Sequence, residues 1–158
     1  MGARRGKTLL IGYGNPGRMD DGLGPALADS LARLDLPDVT IDSNYQLTVE
    51  DAASVAEHEV TIFADASLGG PEPFSFRHIQ PRAELGFTSH EVKPEAVLAL
   101  ARELFGAETE GYVLAIRGYD FNDFGESISE RAHANLERAV QFIHERLRER
   151  DFDEVRAG

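Results

Sequence analysis

Strand and helix signals alternate along this chain, and that alternation constrains its fold more than any other feature. Thr8 to Ile11 is a short apolar run broken off by Gly12 and Gly14, the pattern of a strand buried on both faces. From Gly22 or Pro25 to Leu34, apolar side chains recur at Leu23, Ala26, Leu27, Leu31 and Leu34. That spacing predicts one helix face, with the proline in the first turn, where its missing N–H has no partner to lose. Val39 to Ile41 predicts a second strand. Thr48 with Asp51 has the spacing of a capping box opening a helix through Ala52, Ala53 and Ala56, and Glu59 to Ala64 predicts a third strand. Gly69-Gly70-Pro71 then leads straight into the alternating run Phe74 to Ile79 with no helix between. So short a connection predicts an antiparallel neighbour. Pro94 to Phe105 carries Val97, Leu98, Ala101, Leu104 and Phe105 on one face and stops at Gly106, which suits a left-handed C-cap. Tyr112 to Ile116 predicts a fifth strand, and Ser127 with Glu130 opens a last helix through Ala132, Leu136, Ala139, Val140, Ile143 and Leu147. Residues 148–158 read as a charged, frayed tail. The expectation is one three-layer α/β/α domain over residues 1–158, its five-stranded sheet mostly parallel with one antiparallel strand.

Composition narrows the chemistry. The chain has 158 residues, a single-domain length, and its 42% hydrophobic content excludes disorder. With 28 acidic and 16 basic side chains the net charge is −12, which repels phosphate backbones and anionic lipid heads, so neither nucleic acid nor a membrane surface is an expected partner. There is no cysteine, hence no disulfide, thiol nucleophile or thiolate metal site. Carboxylate, imidazole and hydroxyl chemistry remain. Met1 to Lys7 is basic, but the apolar run after it is too short for a signal peptide or membrane helix, so the cytoplasm is the expected location.

In open α/β sheets ligands bind beyond the carboxyl ends of the strands, where strand order reverses. The loop after the first strand runs from Gly12 to Gly22 and holds Asp20 and Asp21, the third strand ends in Ala64-Asp65-Ala66, and Thr88-Ser89-His90 precedes the third helix. If the first strand is central and the third is its neighbour, Asp21 and Asp65 meet. With His90 they form a set of two carboxylates and an imidazole suited to a divalent metal with open positions. Each also has an ordinary role: Asp20 or Asp21 as a helix N-cap, Asp65 in an Asx turn, His90 bonded to a backbone carbonyl. Asn15 supports its loop, and Gln46 beside Tyr45 is either a ligand contact or a loop amide. His58, His78, His133 and His144 read as solvated. Gly12-x-Gly14-x-x-Gly17 matches the dinucleotide fingerprint in letters. The helix that should follow at once is delayed, and Asp20 and Asp21 stand where a pyrophosphate needs positive potential. No serine lies in Gly-x-Ser-x-Gly.

Taken in order, Gly12-Tyr13-Gly14-Asn15, Asp20-Asp21-Gly22-x-Gly24, Tyr45-Gln46-Leu47, Phe63-Ala64-Asp65-Ala66, Thr88-Ser89-His90, Gly118-Tyr119-Asp120-Phe121 and Gly125-Glu126-Ser127-Ile128-Ser129 resemble the hydrogenase maturation endopeptidases across nearly the whole chain. These enzymes trim the C-terminal extension from the large subunit of nickel–iron hydrogenases. The resemblance implies a five-stranded mixed sheet with one antiparallel strand. It implies Asp21, Asp65 and His90 as metal-contacting and catalytic residues, many relatives carrying glutamate where this chain has Asp21. It further implies hydrolysis of one peptide bond in a nickel-loaded precursor, the nickel coming with the substrate, with Zn(II) or Cd(II) able to replace it. Gly14, Asn15 and Gln46 are the expected substrate contacts. The alternatives are a nonproteolytic nickel-binding or chaperone module and a nucleotide-binding domain built on Gly12, Gly14 and Gly17.

Overall fold

The structure, a computed structural model, describes residues 6–83 and 92–152. In chain order it contains β1 (Thr8–Tyr13), a 3-10 turn (Met19–Gly22), α1 (Leu23–Ala32), β2 (Val39–Asn44), α2 (Asp51–Ala56), β3 (Val60–Ser67), β4 (Phe74–Ile79), α3 (Pro94–Phe105), β5 (Glu110–Arg117) and α4 (Glu130–Glu149). The strands form one sheet in the order β2-β1-β3-β5-β4. All neighbours are parallel except β4, which runs antiparallel to β5 as the short glycine-proline connection predicts. No described helix is long and apolar enough to cross a membrane.

Strand alternation divides the core into two layers. Leu10, Ile62, Ala64, Leu114 and Ile116 point to one face and pack under Leu23, Leu27 and Leu31 of α1 and Leu136, Ala139 and Ile143 of α4. Leu9, Ile11, Phe63 and Val113 point to the other face, under Val55 of α2 and Ala96, Val97 and Ala101 of α3. Burial on both faces is why β1 reads as a continuous apolar run rather than an alternating one. The start of α1 is pressed against the sheet through glycine: a Cβ at Gly24 would lie 2.4 Å from the Tyr13 carbonyl oxygen and 2.5 Å from that of Ala64. A Cβ at Gly12 would lie 2.2 Å from the Gly24 carbonyl oxygen.

Several local expectations are corrected. β3 runs beyond Ala64 to Ser67, because Asp65, Ala66 and Ser67 pair with Ala115, Ile116 and Arg117 of β5. Only half of the Thr48–Asp51 capping box forms: Asp51 Oδ2 accepts the Thr48 N–H at 2.9 Å, while no side chain caps α2. The N-cap of α4 is Ser129 rather than Ser127, its hydroxyl accepting the Ala132 N–H at 3.3 Å. The expected frayed tail is corrected at its start: α4 continues to Glu149, Arg150 ends it in a left-handed conformation, and Phe152 packs 5.7 Å from the Tyr112 ring, while 153–158 lie outside the described residues. His58 and His78 are not merely solvated. His58 Nδ1 lies 2.7 Å from the Ser54 carbonyl oxygen, and His78 sits 5.0 Å from the Tyr112 ring.

Candidate active site

The chain leaves β1 over one sheet face through α1 to reach β2. It then returns over the other face through α2 to β3, on the far side of β1. A crevice therefore opens between the carboxyl ends of β1 and β3, the switch point at which α/β sheets bind ligands. The register pairs Gly12 with Ala64, so Asp65 follows on β3 beside the last residue of β1. Asp21 lies in the turn that leaves β1 over the same edge. β1 is an interior strand flanked by the central β3, so the turn carrying Asp21 and the end of β3 carrying Asp65 leave the sheet at the same edge. Asp65 shares the sheet face of Phe63 and Ala115, the α2 and α3 side. His90 lies outside the described residues, as do Thr88 and Ser89.

Asp21 is held from two sides. Its Oδ2 accepts the Asn15 N–H at 2.9 Å, and its backbone carbonyl oxygen lies 2.1 Å from where a Cβ on Gly14 would stand. Gly14 has φ +140, so a side chain there meets both a clash and an unfavourable backbone. Asn15 does support the loop, its Oδ1 accepting the Gly17 N–H at 2.8 Å. Asp65 Oδ1 accepts the N–H of the next residue, Ala66, at 2.7 Å.

Asp20 has a role that sequence reasoning missed. Neither it nor Asp21 caps α1, whose N-cap is Gly22 with no side-chain bond. Asp20 is fully buried and gathers four hydrogen bonds: from the N–H groups of Tyr119 (2.8 Å), Asp120 (2.9 Å) and Ser129 (2.7 Å), and from the Ser129 hydroxyl (2.7 Å). Burial is the largest single influence on its acidity and pushes its pKa up. The hydrogen bonds from Asp120, Ser129 and Tyr119 together outweigh burial, leaving the carboxyl below its ordinary value. Around this anchor the loops after β1 and β5 are stitched together: Met19 N–H donates to the Gly125 carbonyl, Gly125 N–H to that of Gly17, each at 2.8 Å, and Arg18 Nη2 to that of Phe121 at 3.1 Å. The exit of β3 is tied to the same β5 segment. Gly118 N–H donates to the Ser67 carbonyl at 2.9 Å, Arg117 Nη1 to that of Gly70 at 2.8 Å, and the Tyr119 hydroxyl to Glu72. The Tyr119 bond, with Arg131 and Arg117 nearby, lowers the Glu72 pKa.

This packing removes the nucleotide reading. Gly14 N–H is bonded to the Asn44 carbonyl, Asn15 N–H to Asp21, Gly17 N–H to Asn15 and Arg18 N–H to the Asn15 carbonyl. The donors a pyrophosphate needs are already used, and the turn before α1 is acidic. The loops at the carboxyl edge of the sheet instead expose apolar side chains. Tyr45 after β2, Leu68 after β3 and Phe124 after β5 are 72%, 71% and 85% exposed, and Gln46 sits half-buried between Tyr45 and the buried Leu47. A separate concavity of about 330 Å³, lined by Lys7, Thr40, Asp42, Ser54, Glu57 and His58, reaches down to the amino end of β1, away from these residues. Among the described residues, no group of three His, Cys, Asp or Glu is placed to hold a metal ion.

No family model and no curated protein matches the sequence. Solved structures do match. The nickel–iron hydrogenase maturation protease HycI from Thermococcus kodakarensis KOD1 is 24% identical, with a TM-score of 0.71 over 93% of this chain and 96% of that one. The hydrogenase 2 maturation peptidase from Thaumarchaeota archaeon SCGC_AB-539-E09 is 26% identical, with a TM-score of 0.64 over 89% and 97%. The hydrogenase maturating endopeptidase HybD from E. coli is 18% identical, with a TM-score of 0.69 over 94% and 96%. The five-stranded mixed sheet is thus the fold of the hydrogenase maturation proteases, the architecture that the sequence motifs imply.

Proposed function

We propose that this chain is a hydrogenase maturation endopeptidase that removes the C-terminal extension from the nickel-loaded large-subunit precursor of a nickel–iron hydrogenase in the cytoplasm. The observation that carries the reading is the placement of Asp21 and Asp65 on adjacent strand exits at the switch point, within a fold shared nearly end to end with maturation peptidases. Oxygen donors from two carboxylates and a nitrogen donor from His90 suit contact with a divalent nickel ion, here part of the substrate. So sparse a donor set favours borrowing a metal over keeping one: structural sites use four protein ligands, and this set offers three. When present, the ion supplies Lewis acidity toward the scissile carbonyl or water.

The protein's own share is charge and position. The Asn15 N–H holds one Asp21 oxygen, fixing the carboxylate's orientation at the mouth of the crevice. Either carboxylate can accept a proton from an attacking water held at hydrogen-bond distance. Gly14, Asn15 and Gln46 line the approach for the polypeptide, and the exposed rim at Tyr45, Leu68 and Phe124 offers apolar contact that a small metabolite would not use.

The test is incubation with the nickel-loaded, unprocessed large subunit of the same organism, followed by intact mass. Loss of the C-terminal extension supports the reading. A precursor that is bound but never shortened identifies a chaperone and refutes the peptidase.

A further inference from the structure

We propose that Asp20 is a positioning residue that sets where Asp21 stands relative to Asp65, using the segment after β5 as a common anchor. The inference rests on the proposed function and deepens it. A fully buried carboxylate is costly unless its oxygens are satisfied, and Asp20 meets that cost with three backbone N–H groups and one hydroxyl rather than a cation. Only a carboxylate accepts four such bonds without presenting a donor of its own. An apolar residue could fill the space under α1, but it could not gather donors from two places 99 and 109 positions further along the chain.

The geometry explains what this anchoring does. Asp20 and Asp21 are consecutive, so fixing the Asp20 carboxylate fixes the start of the Asp21 backbone, while the Asn15 N–H fixes the Asp21 carboxylate at its other end. The segment after β5 that grips Asp20 through Tyr119 and Asp120 also grips the strand exit carrying Asp65, Tyr119 bonding to both. Gly118 N–H holds Ser67, Arg117 holds Gly70, and Tyr119 donates its backbone N–H to Asp20 and its hydroxyl to Glu72. Arg117 to Asp120 is therefore one clamp on both carboxylate-bearing elements. Loosening it lets the two carboxylates drift apart without removing any group that touches substrate. Misplacement by roughly 1 Å costs about 100-fold in rate.

Asp20→Asn keeps the shape but turns an NH2 group against N–H donors. The expected result is a kcat about 100-fold lower on nickel-loaded precursor with KM within about threefold, because the rim is untouched. The assay is run at a temperature where circular dichroism shows the variant folded. A readout independent of turnover is the Asn15 amide cross-peak in an ¹⁵N–¹H spectrum, which reports the Asp21 carboxylate bonded to it. It shifts in Asp20→Asn and stays in place in Leu136→Ala, a core variant outside the clamp that loses stability but keeps kcat. A folded Asp20→Asn with kcat within about threefold of wild type and an unmoved Asn15 amide overturns the proposal. If Asp20→Asn does not fold, Ser129→Ala removes the hydroxyl bond to Asp20 together with the α4 cap, and Tyr119→Phe removes the hydroxyl's bonds with Glu72 and Asn135. Both are expected to lower kcat by about 3- to 10-fold and shift the Asn15 amide, and no change in either variant overturns the proposal. Wild-type protein that never shortens the precursor overturns the proposed function instead, and the amide shift then decides the clamp alone.

Discussion

Gly24→Ala tests how tightly the acidic turn is seated on the sheet. The new methyl carbon would stand 2.4 Å and 2.5 Å from the carbonyl oxygens of Tyr13 and Ala64, and 2.8 Å from the Tyr13 nitrogen. All three are backbone atoms of β1 and β3, so no side chain can swing aside. Relief to an ordinary contact of about 3.4 Å requires the start of α1 to lift by nearly 1 Å. Such overpacking costs about 1–3 kcal/mol, against which alanine's better helix propensity returns at most about 1 kcal/mol. A net loss of about 1–2 kcal/mol lowers the melting temperature by roughly 2–8 °C in a domain of this size. Because Asp21 lies three positions before Gly24, the lift also moves its carboxylate, and kcat on the precursor should fall more than the stability loss accounts for. The assay pairs thermal melts with precursor cleavage well below the transition. Gly69→Ala serves as the comparison, since nothing lies within 4 Å of its Cβ position. If Gly24→Ala melts with Gly69→Ala and cleaves like wild type, the argument from close backbone approach is wrong.

Three further outcomes are expected. Asp21→Asn and Asp65→Asn should each abolish processing while shifting stability by no more than about 0.5 kcal/mol, measured by urea titration beside intact mass, because neither side chain belongs to the core. Enzyme stripped with a chelator should cleave nickel-loaded precursor but not nickel-free precursor, and equal cleavage of both would refute the borrowed-metal mechanism. The lowered pKa of Asp20 makes its contribution to folding fully present above its ordinary value of 3.8 and progressively lost as pH falls through its lower folded value. Acid unfolding curves of Asp20→Asn should therefore lose stability less steeply than wild type below about pH 4, and parallel curves would contradict the assignment.

Wherever the cause is local, the sequence carries it. The helical period at Val97, Leu98 and Ala101 marks α3 and Gly106 marks its end, since a helix face and a left-handed cap involve neighbours a few positions apart. The glycine-proline connection marks β4 as antiparallel for the same reason: a short loop cannot cross a sheet. That Asp65 stands near the carboxyl end of a buried strand is legible too, though not that it pairs within it. What only the tertiary structure decides is everything that depends on distant partners. β3 reaches Ser67 because β5 pairs with it there, Ser129 rather than Ser127 caps α4 while it also holds Asp20, and β1 lies beside β3 because the crossovers pass over opposite faces. Asp20 and Asp21 are chemically identical neighbours in the chain. Their roles diverge because one side chain is enclosed by donors from the far end of the sequence and the other meets Asn15 at the edge of the crevice, a difference of environment that residue type cannot encode.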